Sequence, residues 1–196
     1  MSPETHILAS WIIAAKMARN QRDCRLVALA GILPDADGLG IFVDWTRAAL
    51  GNPGPSLYQE YHHLLLHGAF GAAVIVGLLT CFAKDRWRVL LLGLATFHLH
   101  LICDFIGSRG PSAADIWPIC YLEPFHRLPV WMWQGQWRLD GWQNKLVFLG
   151  LFAWAWRMSL ALGHSPVGIF NRRADGVFVG VIRGWQAAWR RRPAGD

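Results

Sequence analysis

Three long apolar stretches set the overall pattern of this chain. They cover residues 64–83, 89–106 and 146–163, and few ionisable side chains interrupt them. A helix needs about 20 residues to cross a bilayer, within a range of about 17–25. The first stretch therefore predicts a membrane-spanning helix, and the other two lie at the short end of that range. Buried helices of a soluble protein are the alternative interpretation.

The polar residues around these stretches predict two helical hairpins. The short basic segment Lys84-Asp85-Arg86-Trp87-Arg88 is typical of a turn between antiparallel helices. Near the start of the chain, polar residues 19–23 join a helix that begins at His6 to an apolar run over residues 26–33. Thr5 can cap the first of these helices, and Pro34 stops the second run. Each arm is too short for an ordinary span, so this hairpin either reaches half the membrane depth or belongs to an ordinary core.

The lysine and arginine positions predict the orientation. Basic segments that flank membrane spans stay in the cytoplasm, and both residues 84–88 and the end of the chain are basic. Residues 107–145, rich in Pro, Gly and Trp, then form an irregular loop on the other side. We expect an all-α membrane protein, with two N-terminal helical hairpins and a later transmembrane helix. Residues 1–165 would form the membrane-embedded domain, and residues 166–196 a basic cytoplasmic tail.

The composition agrees with partial membrane insertion. Hydrophobic residues make up 54% and charged residues 16% of the 196 positions, whereas a soluble domain carries about a quarter charged residues. A mean hydropathy of +0.25 is too low for a chain that lies wholly in lipid. The 12 tryptophans favour a belt at the membrane–water interface over core packing alone.

The charge distribution and the cysteine positions limit which partners and which cysteine motifs we expect. The net charge of +6 is concentrated in an arginine-rich end, which fits a cytoplasmic membrane flank better than a nucleic-acid site. We therefore expect membrane lipid as a partner and no nucleic acid, and we leave the oligomeric state open. The four cysteines form no CxxC pair, so neither a zinc knuckle nor a redox motif is predicted.

Histidine and aspartate side chains recur within the apolar stretches, where ionisable groups are costly and mark function. If the later hairpin turns at Arg86, His67 lies 19 residues before the turn and Asp104 lies 18 residues after it, which places the two side chains level. His100 is one helical turn from Asp104 and shares its face. These three side chains are therefore expected to meet.

The first hairpin repeats this arrangement, because His6 and Asp35 lie equally far from its centre near residues 20–21. Both hairpins thus deliver their side chains to the end away from the basic turns. Imidazoles and carboxylates without a thiolate suit Zn, Mn or Fe, and the imidazole content favours zinc. With five or more candidate ligands a two-metal site is also open, and such sites activate water and clamp phosphoryl oxygens.

Several short motifs occur together in order. They are Thr5-His6, Gly31-Ile32-Leu33-Pro34-Asp35-Ala36-Asp37, His62-His63-Leu64-Leu65-Leu66-His67, His100-Leu101-Ile102-Cys103-Asp104 and Trp117-Pro118. In this order and spacing they resemble the bacterial LexA-regulated, membrane-bound metal-dependent hydrolase family, over about residues 5–125. That family is in turn distantly similar to zinc-dependent phospholipase C, which would imply phosphoester hydrolysis.

The resemblance implies a helical inner-membrane hydrolase and a set of metal ligands. The implied ligands are His6, Asp35 or Asp37 (both are kept as candidates), His62, His67, His100 and Asp104. Two positions depart from the family pattern, with His63 in place of Arg and Gly68 in place of Ser. The lost arginine removes a fixed cation that could hold a phosphate, which leaves the substrate class open. On a helix His63, not His62, would share a face with His67, so His63 is the alternative ligand.

We therefore expect a membrane-bound metal-dependent hydrolase that cleaves an ester or phosphoester of a lipid or small molecule. Glu60 and Glu123 are two of the three glutamates, and Glu60 is our candidate general base. A metal transporter or sensor that uses the same side chains without catalysis is the alternative. It needs polar groups at several depths, whereas the candidates here gather at one end. A soluble or peripheral helical protein with structural histidines is a further alternative.

Overall fold

The computed structural model describes residues 1–62, 65–126 and 128–190, and it is mostly helical. The helices are α1 (Pro3–Met17), α2 (Gln21–Ala30), α3 (Gly40–Ala49), α4 (Leu57–Tyr61), α5 (Ala69–Cys81), α6 (Arg86–Gly107), α7 (Trp142–Leu162) and α8 (Arg172–Arg190). Two 3₁₀ helices, Leu33–Leu39 and Pro166–Ile169, precede α3 and α8. The short antiparallel strands β1 (Ile119–Cys120) and β2 (Val130–Trp131) pair within the α6–α7 loop. The all-α expectation is confirmed.

In the described part of the chain, two helices are long and apolar enough to cross a membrane. They are α6, with 22 residues, and α7, with 21 residues, and they coincide with the predicted spans at 89–106 and 146–163. A third crossing is available if α2 and the segment Leu33–Ala49 act as one span, since this pair is bent by 50° at a short break. Membrane spans at both of these predicted positions are therefore confirmed as candidates by length and composition.

The predicted span over residues 64–83 is wrong in its length. Its helix is α5, which has only 13 residues and begins at Ala69, too short to cross a bilayer by itself. Residues 65–68, just before it, are not helical, and Leu66 N–H donates to Asp37 Oδ2 at 3.1 Å instead of to a helical carbonyl. A Cβ on Gly71 would also collide with the Leu66 carbonyl, so the chain turns tightly onto the first turn of the helix.

The first helix begins earlier than predicted. It starts at Pro3 instead of His6, with Ser2 in the capping position. Proline is well suited to the first position of a helix because its φ is already helical and its missing N–H would have no partner there. Thr5 therefore lies inside the first turn, where its hydroxyl contacts Ser2 Oγ at 3.1 Å, and it does not cap the helix.

The two hairpins are fastened together at their turns. Asp23, at the start of α2, accepts hydrogen bonds from the backbone N–H groups of Lys84 and Asp85 at 2.9 and 3.0 Å. Farther along, the Thr96 hydroxyl of α6 donates to the Val27 carbonyl of α2 at 2.9 Å. A Cβ on Gly31 would collide with Ser10, which shows how closely α1 and α2 approach at the other end. The ends of α1, α2 and α6 away from the turns are thereby held in register.

Helix α7 runs back from that end toward the turns. The Asn144 side chain donates to the Gly107 carbonyl at 2.8 Å, so the start of α7 lies beside the end of α6. Gly163, with a φ of 76°, ends α7 in a left-handed conformation that favours glycine. The basic tail that follows is itself helical, as α8, and Ser165 connects it to the 3₁₀ helix by donating to Asp175 at 2.6 Å.

Candidate metal centre

Four side chains meet at the end of α6 away from the basic turns. Nε2 of His67 and Nε2 of His100 lie 3.1 Å apart. Oδ2 of Asp104 lies 3.0 Å from His100 Nε2 and 3.6 Å from His67 Nε2. Oδ1 of Asp35 lies 3.6 and 3.8 Å from the same two nitrogens. The 3₁₀ helix Leu33–Leu39 supplies Asp35, and the loop before α5 supplies His67. Helix α6 supplies His100 and Asp104.

The other nitrogen of each imidazole is bonded to an acceptor. His67 Nδ1 donates to Asp37 Oδ2 at 3.0 Å, and His100 Nδ1 donates to the Gly31 carbonyl at 3.0 Å. Because a carboxylate and a carbonyl only accept, both Nδ1 atoms must carry the hydrogen. In the neutral rings each Nε2 then bears a lone pair, and the two lone pairs face each other. A positive charge between them removes this repulsion.

A proton on His67 is one source of that charge. Burial alone lowers the pKa of His67, but the carboxylates of Asp104 and Asp37 outweigh burial and raise the pKa to about 9. A divalent cation at the same point would replace the proton, because metal ligation requires the deprotonated nitrogen. A carboxylate behind the ligating histidine, as Asp37 lies behind His67, is the usual arrangement at such sites.

The spacing of the four atoms also fits a cation. Donor atoms about 2.0–2.2 Å from a tetrahedral zinc lie roughly 3.3–3.6 Å from one another. The separations between either nitrogen and the other three atoms run from 3.0 to 3.8 Å. Moreover, Oδ2 of Asp35 and Oδ2 of Asp104 are buried without a hydrogen-bond partner among the described residues. Two imidazoles and two carboxylates with acceptor capacity to spare are suitable ligands for zinc.

His6 lies directly beside this group. Its ring stacks on that of His100, with ring centroids 3.8 Å apart. Its Nε2 atom lies 3.1 Å from Asp104 Oδ1, which also accepts from the Ser108 hydroxyl at 2.8 Å and from the Met1 amino group. Ligand atoms of His6, Asp35, His100 and Asp104 all lie within 4.8 Å of one another. His6 is thus placed either to add a fifth ligand or to hold Asp104.

Asp37 connects two histidines behind the four-atom cluster. Its Oδ1 accepts from His62 Nδ1 at 2.9 Å, and its Oδ2 accepts from His67 Nδ1 and from Leu66 N–H. Neither His62 nor His67 is in a helix, so the argument from helical faces does not apply to this motif. His63, the alternative ligand, lies outside the described residues.

A small cavity of about 80 Å³ reaches the centre. Asp35, Asp104, Tyr58, His62 and Trp117 contribute to its walls. The Asp35 side chain is 24% exposed, whereas those of His67 and His100 are fully buried. Burial, and after it the negative charge of Asp35, raise the pKa of Tyr58 to about 12, so its phenol stays protonated. The cavity thus combines acceptor, donor and imidazole groups at the edge of the cluster where Asp35 is partly exposed.

The structure brings together all seven predicted ligands and leaves the predicted base apart. Glu60 is exposed on α4, and no contact in the described part of the chain joins it to the histidines and aspartates. Its role as a general base stays a prediction. His98, on another face of α6, donates from Nδ1 to the Leu94 carbonyl, and its Nε2 is hydrogen-bonded to the Tyr121 hydroxyl, each at 2.8 Å, as expected for a structural histidine.

Sequence reasoning missed two contributors to the site. One is Tyr58, whose ring lies 4.5 Å from that of His62, and the other is the Gly31 carbonyl, which fixes His100. The tyrosine belongs to none of the quoted motifs. Gly31, however, is the first residue of the Gly31–Asp37 motif, and a glycine at that point is a signal for close approach of another segment to the backbone.

Comparison with known proteins adds the membrane context. No curated protein and no solved structure matches this chain significantly. The family model described as YdjM inner membrane protein matches residues 1–171, which is most of the chain. With two helices able to span a bilayer and this match, the chain belongs to the YdjM inner membrane protein family and is an integral inner-membrane protein.

Proposed function

We propose that this chain is a membrane-embedded metal-dependent hydrolase that cleaves an ester or phosphoester. The observation that supports this most directly is the contact between Nε2 of His67 and Nε2 of His100, at 3.1 Å. Both rings are fixed through Nδ1, and two carboxylates adjoin them. Such a group of atoms has little structural use without a cation, because burying it is costly.

Four residues would hold the ion in this proposal. They are Asp35, His67, His100 and Asp104, with His6 beside them and Asp37 orienting His67. A bound zinc, or manganese or iron in its place, would polarise the substrate oxygen and lower the pKa of a nearby water molecule. The partly exposed Asp35 marks the side from which substrate and water enter.

The cavity residues would handle the substrate and its proton. Tyr58 keeps its hydroxyl proton and can donate a hydrogen bond to a substrate oxygen where negative charge develops. His62 lines the same cavity and is held by Asp37 at 2.9 Å, so in this proposal its imidazole accepts and returns the proton. This role replaces direct metal ligation for His62 and general-base action for Glu60.

The surroundings of the site favour an amphiphilic substrate. Exposed aromatic side chains surround the same end of the molecule, including Phe42 and Trp45 on α3, Trp131 on β2 and Trp142 at the start of α7. Aromatic side chains of this kind concentrate at the headgroup level of a bilayer. A small polar cavity at that level suits the ester or phosphoester linkage of a lipid, whose chains stay in the membrane.

The position of the histidine and aspartate side chains at one end of the helices favours an enzyme over a transporter. In the described part of the chain, the two groups of three or more metal-type side chains lie together at one end of the helices. A path for an ion through the membrane would need such groups at further depths. The transporter or sensor alternative therefore has less support.

Metal analysis followed by a hydrolysis assay tests the proposal. Detergent-purified wild type should carry about one or two zinc, manganese or iron ions per chain. His100→Ala and Asp104→Ala should lose them, whereas His98→Ala, on the same helix but away from the cluster, should keep them. Wild type with metal should then release product from fluorogenic phospholipids or simple phosphoesters, and Tyr58→Phe should slow release while keeping metal. A folded wild type without metal, or metal without turnover on any of these head groups, contradicts the hydrolase.

A further inference from the structure

Helix α8 exposes a regular apolar stripe. Val177, Val181, Trp185 and Trp189 are 69%, 44%, 64% and 76% exposed. These residues are four positions apart, and residues at i and i+4 lie on one side of a helix, so they form a single stripe. The helix packs on the rest of the protein through other residues, among them the buried Val179 and Ile182. The stripe is therefore an additional surface and is not the packing face.

The charge that accompanies this stripe is positive. Helix α8 carries Arg172, Arg173, Arg183 and Arg190, and two further arginines follow in the sequence. Its single acidic residue, Asp175, is buried and accepts hydrogen bonds from the backbone N–H and the hydroxyl of Ser165, at 2.8 and 2.6 Å. The surface of α8 therefore attracts anions, because its one carboxylate, Asp175, is buried in hydrogen bonds with Ser165.

Helix α8 is also joined directly to a membrane-spanning helix. The Arg183 guanidinium donates to the Leu160 carbonyl at 2.9 Å, at the last turn of α7. The Phe178 ring packs edge-on against Trp156 of α7, with centroids 6.3 Å apart. Arg25, near the turn of the first hairpin, donates to the Ile169 carbonyl just before α8 at 3.0 Å. Helix α8 therefore lies at the membrane end that carries the basic turns.

We propose that α8 lies along the cytoplasmic surface of the membrane and binds anionic phospholipid. The Val177–Trp189 stripe enters the boundary between headgroups and acyl chains, and the arginines contact the lipid phosphates. An amphipathic helix with tryptophan on its apolar side and arginine on its polar side is suited to this position. The cytoplasmic leaflet carries the negative charge that complements these arginines.

The composition of α8 makes its helical state dependent on the lipid. Gly176, Gly180 and Gly184 follow one another at the same four-residue interval, and a Cβ on any of them would meet no other atom. Glycine is unfavourable inside a helix, and here no close packing requires it. A helix this rich in glycine needs its apolar side covered to remain folded, because most helical stability comes from packing. Anionic lipid supplies that cover.

Amide hydrogen exchange of the full chain in nanodiscs tests this inference. The nanodiscs contain either phosphatidylcholine alone or an equal mixture of phosphatidylcholine and phosphatidylglycerol. We expect the amides of residues 177–190 to exchange about tenfold more slowly, or slower still, in the anionic mixture, with the difference reduced by high salt. Equal exchange in the two lipids overturns the proposal.

Paired variants separate the stripe from a general effect of tryptophan loss. Trp185→Ser combined with Trp189→Ser should abolish the protection by anionic lipid. Trp142→Ser, which removes an equally exposed tryptophan at the opposite end of α7, should leave it unchanged. Protection that appears only when two copies share a nanodisc would identify the stripe as a contact between protein copies and overturn the lipid assignment. None of these readouts depends on hydrolysis.

Discussion

Nε2 of His67 lies 3.1 Å from Nε2 of His100, although the two residues are 33 positions apart in the sequence. One imidazole is held from behind by a carboxylate and the other by a backbone carbonyl, and both rings turn the same nitrogen toward the shared point. This single relationship links the loop before α5 to the C-terminal part of the membrane-spanning helix α6.

Replacing Asp37 by asparagine should weaken metal binding without removing a ligand. The amide keeps the shape of the side chain but no longer gives His67 Nδ1 a carboxylate acceptor, so the ring loses its fixed tautomer and part of its basicity. Loss of such a supporting group costs about 10–100-fold in metal affinity. Competition with a zinc chelator on the purified protein measures the change.

The control for this variant is Asp140→Asn, since Asp140 is an exposed aspartate that pairs with Arg138 at 2.8 Å, outside the cluster. Its metal affinity should match that of wild type. If the two variants bind zinc equally well, Asp37 does not support the site.

Removal of metal should lower thermal stability. Binding to the folded state alone stabilises a protein by about 2.7 kcal/mol when the free ligand is at about 100 times its Kd. For a chain of this size that corresponds to a fall in Tm of about 5 °C or more on chelation. Re-addition of zinc should restore the transition, as followed by differential scanning fluorimetry in detergent.

The double variant His67→Ala with His100→Ala provides the reference for that measurement. It lacks the two nitrogens that face each other, so its Tm should not respond to chelator or to zinc. An equal response in wild type and double variant would place the stabilising ion elsewhere.

Gly68→Ala should destabilise the protein, even though a larger residue, serine, is usual at this position in the resembled family. A Cβ here would collide with the Tyr121 carbonyl, so the backbone next to His67 must shift. Overpacking of this kind costs about 1–3 kcal/mol, and the displaced His67 should also bind zinc less tightly. Chemical denaturation and chelator competition report the two effects.

Gly77→Ala is the matched substitution on α5, because a Cβ at that position meets nothing within 4 Å. It should leave stability unchanged or slightly raised, since alanine is the better helix former. The two glycine variants behaving alike would mean that the contact with Tyr121 does not constrain the loop.

Asp23→Ala should loosen the junction between the two hairpins. Asp23 is the acceptor for the N–H groups of Lys84 and Asp85, and its loss leaves both donors without that partner. We expect a loss of about 2 kcal/mol, in the range for hydrogen bonds to charged groups. Thermal unfolding of the variant, compared with Asp140→Ala, would show the difference, and coincident unfolding curves would contradict it.

The position of the cluster could be predicted from the sequence because of symmetry about the turns. His67 and Asp104 are nearly equidistant from Arg86, and the two arms of a hairpin have the same rise per residue where both are helical. The prediction succeeded for His67 although its arm is helical only from Ala69. The intervening loop is short, so the error in length stayed small.

Other features could not be predicted because they depend on contacts between distant segments. Tyr58 belongs to none of the sequence motifs that carry the family resemblance. It reaches the cavity because α4 packs against the 3₁₀ helix Leu33–Leu39. Whether His62 or His63 faces the site was undecidable from helical periodicity, because neither His62 nor His67 lies in a helix. Likewise, the charge pattern of the basic tail did not predict that the tail forms the helix α8.

The sequence by itself determined the helical class, the insertion into the membrane and the end at which histidine and aspartate collect. These follow from local hydrophobicity and from distances counted along the chain, which need no knowledge of neighbours. The tertiary structure alone decided which nitrogen of each histidine faces the centre, and that Asp37 lies behind His67 whereas Asp35 lies at the accessible edge. Those assignments depend on hydrogen bonds between segments far apart in the chain, and such bonds exist only once α1, α2 and α6 have packed.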